Sequence, residues 1–193
     1  MAPVRARVTW PSVDTRGCRR IILVGSGGSG KSWMARRLAR ITGYPVFHLD
    51  KEFWQPGWVM PSGEERAARL RTMIAGDAWI IDGNYDTSLE MRFSAADLVI
   101  FLDINRLVCL VSAMRRAGKK RDDMPDYLEE PGPLSKDSRD FYKWIWSYPT
   151  TGRATVLALH RQYPDKQFLR LKSRRQVARC LAAWRGGPPT GTS

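Results

Sequence analysis

The chain has 193 residues, 43% of them hydrophobic, which excludes a disordered polymer and suffices for one domain with a proper core. Its 32 lysines and arginines against 19 acidic residues give a net charge of +13, which calls for anionic partners. No apolar run approaches the roughly 20 residues that cross a membrane, and residues 1–20 carry arginines but no apolar stretch of a secretory signal.

Residues 1–18 read as a flexible arm, and Arg19 to Gly25 as a first strand whose apolar run Ile21-Ile22-Leu23-Val24 suits burial on both faces. Directly after it comes Gly25-Ser26-Gly27-Gly28-Ser29-Gly30-Lys31-Ser32, the G-x-x-x-x-G-K-[ST] phosphate-binding pattern in its required strand-then-loop setting. The residue types follow from the task. A polyphosphate needs several donors at once, and glycines let backbone N–H groups turn inward without side chains in the way. Lys31 reaches the β- and γ-phosphates, the Ser32 hydroxyl ligates Mg²⁺, and a helix starting near Gly30 aims its positive end at the same anion. The expected ligand is a nucleoside triphosphate, ATP or GTP, with Mg²⁺.

The helix over 30–42 carries Trp33, Met34, Leu38 and Ile41 at helical spacing and stops at Gly43. Pro45 to Leu49 is a short second strand ending at Asp50. Residues 51–61, with Phe53, Trp54 and Trp58 among prolines and a glycine, form an aromatic loop. Ser62-Gly63-Glu64-Glu65 starts a helix that runs to about Ala75. Trp79 to Asp82 is a third strand, followed by Gly83-Asn84-Tyr85 and a short helix over Ser88 to Phe93. Leu98 to Leu102 is a fourth strand, followed by Asp103. Ile104 to about Ala117 is helical, with Leu107, Leu110, Val111 and Met114 on one face. Residues 118–137 are charged and hold Pro125, Pro131, Gly132 and Pro133. A stretch of this kind inside a compact domain reads as a lid. Phe141 to Tyr148 is an aromatic helix ended by Pro149, Thr150 to Tyr163 another helix, Gln167 to Leu171 a fifth strand, Ser173 to Trp184 a closing helix, and 186–193 a flexible tail.

Strands alternate with helices throughout, which predicts an α/β domain over 19–185: a five-stranded parallel sheet with helices on both faces and a lid insertion. Ligands of such sheets bind beyond the carboxyl ends of the strands, where the phosphate loop, Asp50, Asp82 and Asp103 all fall. Asp50 can orient or deprotonate an acceptor hydroxyl, or cap the next turn. Asp82 holds Mg²⁺ or bonds Ser32, with Asp103 its rival for that role. Arg92 grips an acceptor phosphate or carboxylate, or is a solvated surface arginine. Among the cations around the lid, Arg115, Arg121 and Arg153 are the candidates for neutralising transition-state charge. Trp54 and Trp58 pack in the core or stack on an acceptor ring. The positive charge has one local cluster, Arg115 to Arg121, and no nucleic-acid fold motif accompanies it, which favours phosphorylated small ligands over nucleic acid as partners. Cys18, Cys109 and Cys180 show no metal-ligand spacing and suit a reducing, cytoplasmic compartment.

Gly25–Ser32, His48-Leu49-Asp50, Trp54-Gln55-Pro56-Gly57-Trp58, Trp79 to Tyr85, Val99 to Asp103 and Trp144-Ile145-Trp146-Ser147-Tyr148-Pro149 together resemble the adenylate-kinase-like P-loop proteins labelled DNA topology modulation proteins. The resemblance spans about residues 20–184. It implies a three-layer P-loop nucleotide-kinase fold, with an acceptor-binding segment at 51–76, a lid at 118–140, and Asp82-Gly83 followed by an acceptor-gripping arginine at Arg92. Nucleotide kinases commonly read Asp-Gly-Phe-Pro-Arg where this chain reads Asp82-Gly83-Asn84-Tyr85-Asp86, so its acceptor site differs. The implied activity is ATP- and Mg²⁺-dependent phosphoryl transfer to a small molecule or nucleotide. The alternative is a nucleotide-switched regulator that binds nucleic acid through its basic surface.

Overall fold

The computed structural model describes residues 17–129 and 131–185, so most of the expected arm and the tail at 186–193 lie outside the described residues. Five strands, β1 (Arg20–Gly25), β2 (Val46–His48), β3 (Trp79–Asp82), β4 (Leu98–Leu102) and β5 (Gln167–Leu171), form one sheet in the order β2-β3-β1-β4-β5. Every pairing is parallel. Eight α-helices accompany them among the described residues: α1 (Lys31–Thr42), α2 (Leu49–Phe53), α3 (Gly63–Ile74), α4 (Leu89–Ala95), α5 (Arg106–Arg116), α6 (Lys136–Ser147), α7 (Gly152–Gln162) and α8 (Arg174–Arg185).

The period-2 alternation of β1 divides the core into two layers. Ile21 and Leu23 pack with Met34 and Leu38 of α1, Cys109 of α5, Ile145 of α6 and Val177 of α8. Ile22 and Val24 pack with Leu49 of α2, Leu70 of α3, Phe93 of α4 and Val156 of α7. Both faces of β1 and β4 are therefore buried, which is why their sequences read as unbroken apolar runs. The register aligns Leu23 with Asp82 and Gly25 with Leu102, so the phosphate loop, Asp82 and Asp103 leave the sheet at one edge.

Local signals act where they were expected. Ser62 caps α3 in a reciprocal box with Glu65, and Gly43 closes α1 in the left-handed conformation.

Three expectations need correction. β2 stops at His48, and Asp50 sits in the first turn of α2 rather than at a strand end. α6 begins at Lys136, so the last residues assigned to the lid are helical. Cys18, read as part of the arm, is 3% exposed and belongs to the core. In α5, Leu107, Val111 and Met114, read as lying on one face of the helix, are exposed, while Cys109 and Ala113 are buried. The small side chains win the inner face because α5 must approach the phosphate loop closely. A Cβ on Gly28 would collide with the Cys109 carbonyl oxygen, and Gly28 has a left-handed φ of +76°.

Candidate active site

The phosphate loop is curled and roofed. The aromatic rings of Phe141 and Trp144, stacked with centroids 5.6 Å apart, lie over Gly27, where any side chain would strike Phe141. Lys31 Nζ donates to the carbonyl oxygens of Gly25 at 2.8 Å and Ser26 at 3.0 Å. Burial pushes its pKa down, with Asp82 and Asp50 pulling it back up and Arg116 pressing it further down.

Ser32 Oγ donates to Asp82 Oδ2 at 2.7 Å. The other oxygen, Asp82 Oδ1, meets His48 Nδ1. Asp82 is 3% exposed and is the strand-end acid next to Ser32. Asp103 is turned away: Arg170 donates to its Oδ2 from Nε at 2.8 Å and from Nη2 at 2.5 Å, and Arg153 Nε lies 3.7 Å from the same oxygen. The rivalry between the two acids for Ser32 thus falls to Asp82. A hard divalent cation prefers hydroxyl and carboxylate oxygens, and Ser32 with Asp82 supplies both. The Ser29 hydroxyl is buried without a hydrogen-bond partner, and the buried Ser26 hydroxyl lies beside the Cys109 thiol, so both are hydroxyl donors suited to phosphate oxygens. These residues therefore fit a Mg²⁺–triphosphate ligand.

Asp50 lies across from the loop. Tyr85 Oη donates to its Oδ1 at 2.9 Å, and the Tyr85 ring stands edge-on to Phe53 at 4.9 Å. Burial raises the Asp50 pKa, while the Tyr85 bond and the Arg121 charge lower it. Trp54 sits edge-on beside Trp58, ring centroids 5.2 Å apart.

The segment expected to be a lid is packed against this site. Met124 and Leu128 are buried, and Tyr127 Oη donates to the Trp54 carbonyl at 2.7 Å. Arg121 makes a bidentate pair with Asp123, Nε to Oδ1 at 3.0 Å and Nη2 to Oδ2 at 2.6 Å. Burial works to raise the Asp123 pKa, but Arg121 and the Ser32 hydroxyl hold it well below the usual carboxylate range. Arg36 of α1 stands 3.9 Å from Asp123. The sequence reading missed Asp123, which looks like one charge in a charged run; only the folded lid brings it to Ser32.

The remaining arginines divide. The Arg121 charge acts on Asp50. The Arg115 side chain is exposed, and it is the neighbouring Arg116 whose charge acts on Lys31. Arg153 lies at the ends of β4 and β5, in a cavity of about 390 Å³ lined also by Arg106, Arg170 and Lys172. Arg92 departs most from expectation. It is fully buried, and its guanidinium donates to the carbonyls of Gly83 (3.0 Å), Tyr85 (3.0 Å) and Ser88 (3.4 Å). Burial lowers its pKa to about 10, against the pull of Asp82 and Asp86. It clamps the loop after β3 and does not present its fork to a ligand.

No family model matches the sequence, and no curated protein matches it. Solved structures do share its architecture. The shikimate kinase from Acinetobacter baumannii, in complex with shikimate, aligns over 90% of this chain and 93% of its own, at 18% identity and a TM-score of 0.55. The shikimate kinase from Bacteroides thetaiotaomicron aligns over 87% and 96%, at 15% identity and a TM-score of 0.51. The deoxyadenosine kinase from M. mycoides, with bound dATP, aligns over 84% and 97%, at 14% identity and a TM-score of 0.50. The chain therefore has the P-loop nucleoside- and nucleotide-kinase-like fold, and no described helix is long and apolar enough to cross a membrane.

Proposed function

We propose that this chain is an ATP- and Mg²⁺-dependent kinase that transfers the γ-phosphoryl group to a small molecule or nucleotide. One observation carries the reading: Ser32 and Asp82 are bonded beside Lys31, and a second acid, the half-buried Asp50, lies close enough for its charge to act on Lys31. The loop amides and Lys31 hold the triphosphate. Ser32 and Asp82 hold Mg²⁺, which supplies charge neutralisation on the phosphate oxygens when bound. Asp50 accepts the acceptor hydroxyl's proton or orients that hydroxyl. Arg121 turns from Asp123 to the transferred group, and Arg116 and Arg153 are the further cations of the region. Trp54 borders the acceptor. The fold of the shikimate and deoxyadenosine kinases supports a hydroxyl-bearing acceptor as a class. A cytoplasmic setting accords with three free, buried cysteines. Kinship with the adenylate-kinase-like proteins labelled DNA topology modulation proteins rests on the sequence pieces alone.

The test is transfer of label from γ-labelled ATP across nucleotides, nucleosides and sugar-like alcohols. Label in an organic phosphate supports the reading. No transfer to any acceptor, with ATP binding indifferent to Lys31→Ala, sinks it. A nucleic-acid-binding switch predicts instead slow hydrolysis without a phosphorylated product, and DNA affinity that falls steeply with salt.

The acid limb of the pH profile offers a sharper check. Asp50 must be ionised to act as a base, and burial raises its pKa. Activity is thus present above that raised pKa and lost as pH falls through it, at a pH above the ordinary carboxylate range. Tyr85 donates to the ionised form, so Tyr85→Phe moves the acid limb of kcat/KM to still higher pH. An unmoved limb removes Asp50 from the role of base.

A further inference from the structure

A second group of cations stands apart from the phosphate loop. The cavity of about 390 Å³ at the carboxyl ends of β4 and β5 is lined by Arg106, Arg153, Arg170 and Lys172 around one acid, Asp103. With Asp103 ionised, these side chains still carry an excess of three positive charges. The strand order β2-β3-β1-β4-β5 places this cavity and Asp50, which follows β2, on opposite sides of the loop that follows β1. A small ligand in the cavity is therefore not the group that Asp50 meets.

Two of the cations stand where the fold disfavours them. Arg106 opens α5 and Arg153 lies in the first turn of α7, each at the positive end of an 11-residue helix. Neither first turn holds an acid. Aspartate and glutamate stabilise such an end, and a cation there is opposed by the macrodipole. An anion between the two helix ends reconciles both charges with their positions. The contacts these side chains make hold them in place without using up their charge. The Arg106 guanidinium lies 3.9 Å from the centroid of the Trp146 ring, which carries no counter-charge. Arg170 bonds one Asp103 oxygen, at 2.8 Å from Nε and 2.5 Å from Nη2, and Arg153 stands 3.7 Å from the same oxygen. One carboxylate thus braces two arginines and neutralises a single charge. Lys172, just beyond β5, adds an exposed ammonium.

The volume sets the size of the ligand. Small-molecule sites span about 300–1,000 Å³, and this cavity falls at the compact end of that range. We propose that it binds the phosphate groups of a small phosphorylated compound, as a second oxyanion site separate from the phosphate loop. The arginines offer planar N–H pairs to phosphate oxygens, and Lys172 offers a point charge. The inference goes beyond the kinase reading and needs no transfer step.

The test uses the full chain carrying Lys31→Met, which weakens anion binding at the phosphate loop, and inorganic pyrophosphate as the probe. Titration calorimetry is expected to find a pyrophosphate site that survives in Lys31→Met. In that background Arg106→Gln and Lys172→Gln each weaken pyrophosphate binding by on the order of tenfold, the loss of one charge-assisted hydrogen bond. Arg40→Gln removes an equal charge from the exposed surface of α1 and changes the affinity by less than about twofold, because salt screens distant charges. The Arg106 and Lys172 side chains are exposed, and melting curves without pyrophosphate check that both variants are folded. Loss of pyrophosphate binding in Lys31→Met overturns the inference. So does binding that ignores both cavity substitutions, or binding that Arg40→Gln weakens equally, the mark of diffuse surface charge. None of these outcomes touches label transfer, so the kinase reading stands or falls separately.

Discussion

Replacing Lys31 by Met lowers phosphoryl transfer from ATP by on the order of a thousandfold, the usual loss when a preorganised donor is removed from developing oxyanion charge. In the folded protein the ammonium donates to the Gly25 and Ser26 carbonyls and feels Asp82 and Asp50. It is therefore already held at the place where phosphate oxygens arrive, and its bonds are exchanged rather than created on binding. Methionine keeps the unbranched stem without the charge. Two carbonyls lose a donor, but a half-buried ammonium no longer has to be desolvated, and these terms oppose one another. The melting temperature should accordingly move by only a few degrees while label transfer collapses. Wild-type transfer in Lys31→Met refutes the assignment of the loop.

Replacing Arg92 by Met has the opposite profile. It deprives the carbonyls of Gly83, Tyr85 and Ser88 of their common donor inside the core. Unpaired buried polar groups cost about 1–3 kcal/mol each, and the partial relief of burying no charge reduces the sum to about 3–5 kcal/mol. In a domain of this size each kcal/mol shifts the melting temperature by about 2–4 °C, so a fall of roughly 10–15 °C is expected in thermal unfolding. Arg92→Lys does not restore it, because one ammonium cannot match the planar fork that reaches all three carbonyls. A ligand-gripping arginine behaves differently: stability holds and only acceptor KM rises. The two outcomes separate cleanly in a melting curve and a KM measurement on the same variant.

The contrast between Lys31 and Arg92 shows which parts of the site the sequence makes legible. The phosphate loop is readable because backbone geometry dictates its glycines, and a Cβ at Gly27 or Gly28 would collide with the packed neighbours. The strand-end acids are readable because a buried apolar run ending in aspartate is a short local pattern, and Asp82 does reach Ser32. Arg92 is not readable in this way. Its acceptors are carbonyls, which every residue carries, so nothing in the neighbouring side chains announces the clamp. α5 conceals its inner face for a related reason. Its periodicity is genuine, but which face turns inward is decided by how closely Cys109 must approach Gly28, a tertiary fact. Asp123 meets Ser32 across more than 80 positions of chain, and no local spacing carries that information.

The Arg92 clamp also separates what must persist in this protein from what can change. It holds the loop after β3 by main-chain oxygens, so the backbone path from Gly83 to Ser88 does not depend on which side chains that path displays. Positions 84 to 87 can then be exchanged on a fixed scaffold. A lineage, or a designer, that keeps one buried arginine can change the side chains displayed there without rebuilding the fold. Such a division between a conserved brace and a variable face is a route by which a single architecture diversifies its substrates.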